Sequence, residues 1–519
     1  MLPTVSRTGP EGPPRTPGYE PRPGPPAPTT APSLARAQNR ALLEGPFPSG
    51  GLVRGVSDGR LMLQEDAGAR ALAVRRMREA GAAVVRIPVD WRDTVLPVPA
   101  PGFQPENPGD PSYLFSRVDA AVRSAAAAGL EPLLVVSHAP AFAEAPDRWP
   151  YAFLGSWAPS PEALRAFAAA LARRYDGSFP DPLQPGRTLP RVRLLQAWNE
   201  PNLARYLEPQ WVARDGRWSA FSPLLYRQML NAFYAGVKAA VPSDVVVAAG
   251  VAPNGERAGV GRMAPVTFLR SLLCVDAAGQ RTGCADRAHL DVLDFHPLSV
   301  DSPDRAARSA LDVSISDAAK ITGLLARAER LGTVLPAGRR PVWVTELNWE
   351  SAPQARGGVP PSLQAAWISR ALHRLWVAGV SLVAWQFLLD PFPNLTSATA
   401  TGGIFEYQRP AGLYAPGPTG GLQGARPKAF LTGFALPFDP LRVNRRQIRV
   451  WALLGGPGAR ALLVRRLRSG AWSPLAVLRA GGNGVLNVLL TVRGSQQLRL
   501  RSAGLTSATA ALSAARSRL

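Results

Sequence analysis

From about residue 51 to residue 388 the chain repeats one texture eight times: a short run of Val, Leu, Ile or Phe, then a longer Ala/Leu/Arg stretch. The apolar runs are Leu52–Ser57, Val84–Val89, Leu133–Ser137, Arg193–Trp198, Val245–Ala249, Val292–His296, Val342–Glu346 and Leu382–Leu388. Helices are predicted between them, for example over Asp66–Ala80, Phe115–Ala128, Pro161–Tyr175, Pro223–Ala240, Ser316–Leu331 and Ser362–Ala378. Ser160 and Pro161 read as the cap and first residue of one of these. The apolar runs are continuous rather than alternating, as parallel strands must be when helices cover one face and a packed interior fills the other. Eight such units predict an α/β fold, a (β/α)8 barrel of the TIM type. A doubly wound sheet would also alternate strand and helix. However, neither Gly-x-Gly-x-x-Gly nor Gly-x-x-x-x-Gly-Lys follows the first strand.

The flanks have other textures. Residues 1–50 contain thirteen prolines, clustered as Pro-Arg-Pro-Gly-Pro-Pro-Ala-Pro at 21–28. Too little apolar surface is present there to offset the entropy of ordering, so a disordered tail is expected. After about residue 435 the helical pattern stops, and Gln447–Leu454, Ala461–Leu467, Ser473–Leu478, Gly484–Val492 and Gln497–Ser502 read as short strands between Gly-rich turns. The expected division is a tail over 1–50, a barrel over 51–435 and a small all-β domain over 436–519.

Charge is distributed unevenly along these parts. The net charge is +22, and only Lys238, Lys320 and Lys428 among the 59 basic residues are lysines. So much Arg beside so much Ala, Gly and Pro is what a GC-rich genome produces. No zinc-finger spacing, RNP-type aromatic pattern or helix-turn-helix accompanies it, which argues against a nucleic-acid partner. Residues 441–519 hold fourteen Arg and no Asp, Glu or Lys, whereas residues 1–50 carry +2. The basic character therefore belongs to the C-terminal unit. That unit is suited to an anionic cell-surface polymer; the alternative is a solvated Arg-rich face produced by codon bias alone.

Two cysteines, Cys274 and Cys284, lie ten positions apart with a polar, turn-rich stretch between them. They read either as a disulfide stapling a surface loop or as two unrelated thiols; the stretch between them favours the disulfide, and with it an oxidising, extracellular setting. A secretory leader needs an apolar run of about 7–15 residues. Residues 1–50 have nothing longer than Ala41–Leu43, so export would need another route or a start upstream. No run is long and apolar enough to span a membrane. With four His and no zinc spacing, the sequence calls for neither a metal site nor a cofactor.

In a barrel, reactive groups gather at the C-terminal ends of the strands. Those ends carry Arg86 with Asp90, His138, Asn199 with Glu200, His296, Glu346 and Trp385. Two segments run an apolar strand into a glutamate: Leu194-Leu195-Gln196-Ala197-Trp198-Asn199-Glu200-Pro201-Asn202 and Pro341-Val342-Trp343-Val344-Thr345-Glu346. Two carboxyl groups facing each other are what cleavage of a glycosidic bond requires. One protonates the leaving oxygen, and the other serves the anomeric carbon. A separation of about 5–5.5 Å retains the anomeric configuration, and about 6.5–9.5 Å inverts it.

Trp198-Asn199-Glu200-Pro201-Asn202, followed much later by Thr345-Glu346, resembles the two catalytic segments of the clan of barrel glycosidases that includes families 5 and 39. The resemblance covers about residues 51–435. It implies a retaining glycoside hydrolase acting on an oligo- or polysaccharide, with Glu200 as acid/base and Glu346 as nucleophile. It further implies that Asn199 holds a sugar hydroxyl and that Arg86 and His296 serve the nucleophile. His138 and Trp385 would then stand on the substrate side, the indole as floor of the sugar subsite. The competing reading is a catalytically silent carbohydrate-binding barrel.

Overall fold

The computed structural model of the chain describes residues 50–299, 301–391 and 409–513. The tail expected over 1–50 lies, apart from Gly50, outside the described residues. Eight parallel strands close into a barrel: β1 (Val53–Ser57), β2 (Val84–Asp90), β3 (Glu131–Ser137), β4 (Leu194–Ala197), β5 (Val245–Val251), β6 (Val292–Phe295), β7 (Val342–Leu347) and β8 (Val380–Gln386). They pair in chain order, and β8 closes on β1 through Val53 opposite Leu382 and Ser57 opposite Gln386. Each is at or within a few residues of a run read from the sequence.

The covering helices are α1 (Ala67–Glu79), α2 (Ser116–Ala127), α3 (Pro161–Arg174), α4 (Ser222–Ala240), α5 (Pro265–Leu272), α6 (Ala318–Leu331) and α7 (Pro361–Val377). Local chemistry sets their ends. Asp66 caps α1 by accepting from the N–H groups of Gly68 and Ala69. Ser160 caps α3 by accepting from Ala163, with Pro161 next, as expected. Gly332, at φ 64°, ends α6 in the left-handed conformation that a side chain would strain.

Inside the barrel, strand parity sorts residues into layers. Val84, Leu133, Leu194, Val292, Trp343 and Ala384 form an apolar floor with Val247 and Leu382. Two positions further along the same strands stand Arg86, Gln196, Asp294, Thr345 and Gln386. The interior thus turns from apolar to polar toward the C-terminal mouth. Among the described residues, no helix is long and apolar enough to cross a membrane.

Beyond a short helix, α8 (Ala429–Ala435), the chain forms two antiparallel sheets. One joins β9 (Phe438–Arg442), β10 (Gln447–Leu453) and β13 (Val485–Thr491). The other joins β12 (Trp472–Arg479), β11 (Arg460–Arg466) and β14 (Gln496–Ser502), with two short strands at its edge. Ile448, Val450, Leu463, Leu486, Leu498 and Leu500 from both sheets share one core. Strand β9 was not anticipated, because Pro440 disguises it. As an edge strand it can carry a residue that donates no ladder bond.

Alternate side chains of β10 have different destinations. Ile448, Val450 and Ala452 enter the sheet core, whereas Trp451 joins the barrel's core and stacks on His373 of α7 at 4.7 Å and 7°. His373 Nδ1 lies 2.7 Å from Asp439 of β9, and Arg370 Nη1 lies 3.3 Å from the same carboxylate. Burial would raise the pKa of Asp439, but Arg370 and the hydrogen bond from His373 outweigh it and hold the group below its usual range. His373 is thus a structural link between α7 and β9.

Candidate active site

The site grows out of the polar layer. Arg86, from β2, reaches across the barrel: Nη1 lies 2.5 Å from Glu346 Oε1, Nη2 donates to Asn199 Oδ1 at 2.6 Å, and Nε donates to Gln196 Oε1 at 3.4 Å. The other oxygen of Glu346 accepts from Gln386 Nε2 at 2.9 Å, and Asn348 Nδ2 in turn donates to Gln386 Oε1 at 2.7 Å. His296 stands between the glutamates. Its Nδ1 is 3.0 Å from Glu200 Oε1 and 3.9 Å from Glu346 Oε2. Carboxylate oxygens of Glu200 and Glu346 and a ring nitrogen of His296 all lie within 4.8 Å of one another. Both glutamates keep some solvent access, 12% and 11% of their side chains.

A buried carboxylate underlies the histidine. Asp294, fully buried, accepts from Gln196 Nε2 at 3.0 Å, from the Thr345 N–H at 2.9 Å and from the Thr345 hydroxyl. His296 Nε2 lies 3.3 Å from it and 3.1 Å from Thr345 Oγ1. Burial alone would lower the pKa of His296. The negative Glu346 and the bonds to Asp294 and Glu200 outweigh burial and push it up to about 10. The ring is therefore an imidazolium at neutral pH, a fixed positive charge between the two acids. Three ligand atoms this close could also hold a cation, but Arg86 and His296 already supply positive charge at Glu346.

The backbone is bent to bring these groups together. Trp198 (φ 72°) and Glu200 (φ 40°) adopt left-handed conformations just past the end of β4, Ala249 (φ 75°) does so within β5, and His138 (φ 54°) does so after β3. Each costs on the order of 1 kcal/mol or more, so the surroundings must enforce it. Tyr226 of α4 does part of this: its hydroxyl donates to the Ala197 carbonyl at 2.5 Å and accepts from the Ala249 N–H at 2.6 Å. Asn202 clamps the segment after Glu200, donating to the carbonyls of Ala252 and Met263 and accepting from the Ala252 N–H. Gly250 is required for space. A Cβ there would sit 2.7 Å from Gln196 Nε2 and 2.9 Å from Asp294 Oδ2. On β7 the register shifts between Val344 and Leu347, which lets both Thr345 and Glu346 turn inward despite the pleat.

Of the residues singled out in the sequence, Glu200, Glu346, Arg86, Asn199 and His296 converge. His138 has other bonding partners: its Nδ1 is 3.0 Å from Asp90 and 3.2 Å from Ser137 Oγ, and its ring lies 5.2 Å from Tyr206. Trp385 departs from expectation. It is 1% exposed, packs on Phe430 at 5.0 Å, and donates its indole N–H to the Ala411 carbonyl, so it offers no ring face to a sugar. Parity explains this: Leu382, Ala384 and Gln386 point inward, and Trp385 points to the helical layer. The sequence reading also missed Gln386, Asp294, Gln196 and Tyr206. Burial, then Glu200, raises the pKa of the Tyr206 phenol, which puts that residue within the field of the site. Asp294 had a signal, two positions before His296 on the same strand and therefore on the same face. Cys274 and Cys284 form a disulfide, as the polar, turn-rich stretch between them favours. Cavities of about 700 and 640 Å³, one beside Asp390 and one beside the disulfide, include neither glutamate.

No family model and no curated protein matches the chain. Among solved structures, a family 39 glycoside hydrolase from the gut symbiont Bacteroides cellulosilyticus WH2 is similar over 87% of this chain and 81% of its own, with 19% identity and a TM-score of 0.50. A glucosidase from Croceicoccus marinus is similar over 86% of this chain and 95% of its own, with 14% identity and a TM-score of 0.48. A family 39 β-xylosidase from Caulobacter crescentus covers 87% and 98%, with 14% identity and a TM-score of 0.43. The first of these likenesses supports a shared barrel fold.

Proposed function

We propose that the chain is a retaining glycoside hydrolase in which Glu346 attacks the anomeric carbon and Glu200 serves as acid and then base. The observation that carries this reading is the pair of carboxylate oxygens within 4.8 Å of each other at the barrel mouth. That spacing of the nearest oxygens favours the separation of about 5–5.5 Å used in double displacement over the about 6.5–9.5 Å of inversion. Arg86, the neighbour of Glu346 at 2.5 Å, stabilises a carboxylate there and aims it.

In the first step Glu346 forms a bond to the anomeric carbon while Glu200 gives its proton to the departing oxygen. In the second, Glu200 takes a proton from water, which displaces Glu346 and regenerates both groups. Asn199, held by Arg86, presents its amide toward the sugar. The substrate is an oligo- or polysaccharide. The disulfide supports work in an oxidising, extracellular compartment.

The test is Glu346→Ala on aryl glycosides, with product stereochemistry followed by NMR. Turnover should fall by about 10²-fold or more, and azide should restore part of it by filling the vacated space. Undiminished hydrolysis by the variant, or inverted product from the wild type, overturns the proposal. A silent binding barrel would hold sugars and turn over none of them.

A further inference from the structure

On the outer face of the sheet formed by β12, β11 and β14, five arginines stand together: Arg460 and Arg466 on β11, Arg479 on β12, Arg499 and Arg501 on β14. The register makes them neighbours. Arg460 is directly opposite Arg479, while Arg501 faces Leu462 and Arg499 faces Val464 on the other side of β11. Inward-facing Ala461, Leu463, Leu498 and Leu500 fix the opposite parity, so the arginines cannot turn to the core. Their bonds are to neutral groups: Arg466 to Gln497 at 3.2 Å, and Arg499 to Thr509 at 2.7 Å. Among the described residues none of the five is in an ion pair.

Codon bias explains abundant arginine but not missing carboxylates. All 37 Asp and Glu lie before residue 441, so nothing in these strands neutralises the face. Like charges directly across a ladder are destabilising, and an external anion would offset that cost. The guanidinium fork binds carboxylate and sulfate oxygens in pairs.

The shape of the face narrows the partner. It is a sheet surface three main strands wide, suited to an extended polymer. Its one aromatic ring, Trp472, is already covered by Arg499 at 4.4 Å, which leaves no platform for nucleic-acid bases. Exposed Leu467 lies in the turn that follows β11, and exposed Leu505 on the short strand that folds back on the end of β14; because β11 and β14 are antiparallel, the two sit at opposite ends of the face. Exposed Val477, opposite Leu462 in the middle of the face, is flanked by Arg460, Arg479 and Arg501, so the apolar groups are dispersed among charges and form no single wedge for a membrane. We propose that this face binds an anionic polysaccharide, bearing carboxylate or sulfate groups, and holds it near the barrel. Choosing a glycan among polyanions rests on the glycosidase reading.

The test compares the full chain with an Arg460→Gln, Arg466→Gln, Arg479→Gln, Arg501→Gln variant on alginate, dextran sulfate, neutral dextran, duplex DNA and phosphatidylserine vesicles. The wild type should bind alginate or dextran sulfate, lose that binding as salt rises, and ignore neutral dextran. The variant should bind roughly tenfold more weakly or worse, with unchanged Tm and unchanged hydrolysis of aryl glycosides. Equal binding by the variant, or tighter binding of DNA or vesicles than of the glycans, overturns the proposal. Binding is read without turnover, so its failure is separate from failure of the catalytic assignment.

Discussion

In the barrel, the buried arginines Arg174 and Arg86 end on carboxylates. Arg174 grips Asp119 through Nε and Nη2 at 2.8 and 2.6 Å, gives Nη1 to the Pro108 carbonyl, and lies between Phe115 and Phe179. Arg86 does the same for Glu346. In the outer C-terminal sheet, Arg460 faces Arg479 and neither has an acidic neighbour among the described residues. The same Arg-rich sequence style thus yields internal braces in one region and uncompensated charge in the other. Arginine content alone is therefore a poor guide to partners; the supply of carboxylates beside it is the informative quantity.

Substitutions can break or sharpen this contrast. Arg174→Met strands Asp119 in the core and should cost about 3–5 kcal/mol, read as a fall in Tm. Preserved stability would mean that barrel arginines brace nothing. Arg86→Met should leave the fold in place while lowering kcat by about 10²–10³-fold, since one preorganised charged donor at the reacting carboxylate is lost. A purely thermal effect would reduce Arg86 to another Arg174.

His296 gives a smaller, pH-dependent effect. Its folded pKa, up at about 10, exceeds the ordinary value of about 6.5, so folding takes up a proton between these limits. The stabilisation is complete below about pH 6.5 and is lost as pH rises toward 10. Thermal midpoints of wild type and His296→Gln should approach each other over that window; parallel curves would contradict a charged ring. The least effect is expected of Arg479→Gln, within about 0.5 kcal/mol and toward stabilisation, because a like-charge cross-strand pair is relieved.

The strands and the two glutamates were legible because burial leaves a strong mark: continuous apolar runs, two of which lead into a glutamate. Trp385 shows where that reading stopped. Choosing between it and Gln386 needed the strand's parity, which a run apolar on both faces conceals. Glu346 is a related case, since two consecutive side chains turn inward only because of the register shift on β7. Gln196 and Asp294 sit mid-strand among apolar residues, and their pairing spans 98 positions, beyond the reach of local pattern. Gly250 looked ordinary until its neighbours were known.

Arg86 touches residues of both glutamate-bearing segments, Gln196 and Asn199 on one and Glu346 on the other. These segments are consequently tied to each other and to β2, below the loops at the C-terminal mouth of the barrel. Loop sequences can drift, lengthen or be exchanged while the spacing of the acids is preserved from beneath. Under the glycosidase proposal, new sugar preferences then arise on an unchanged pair of acids.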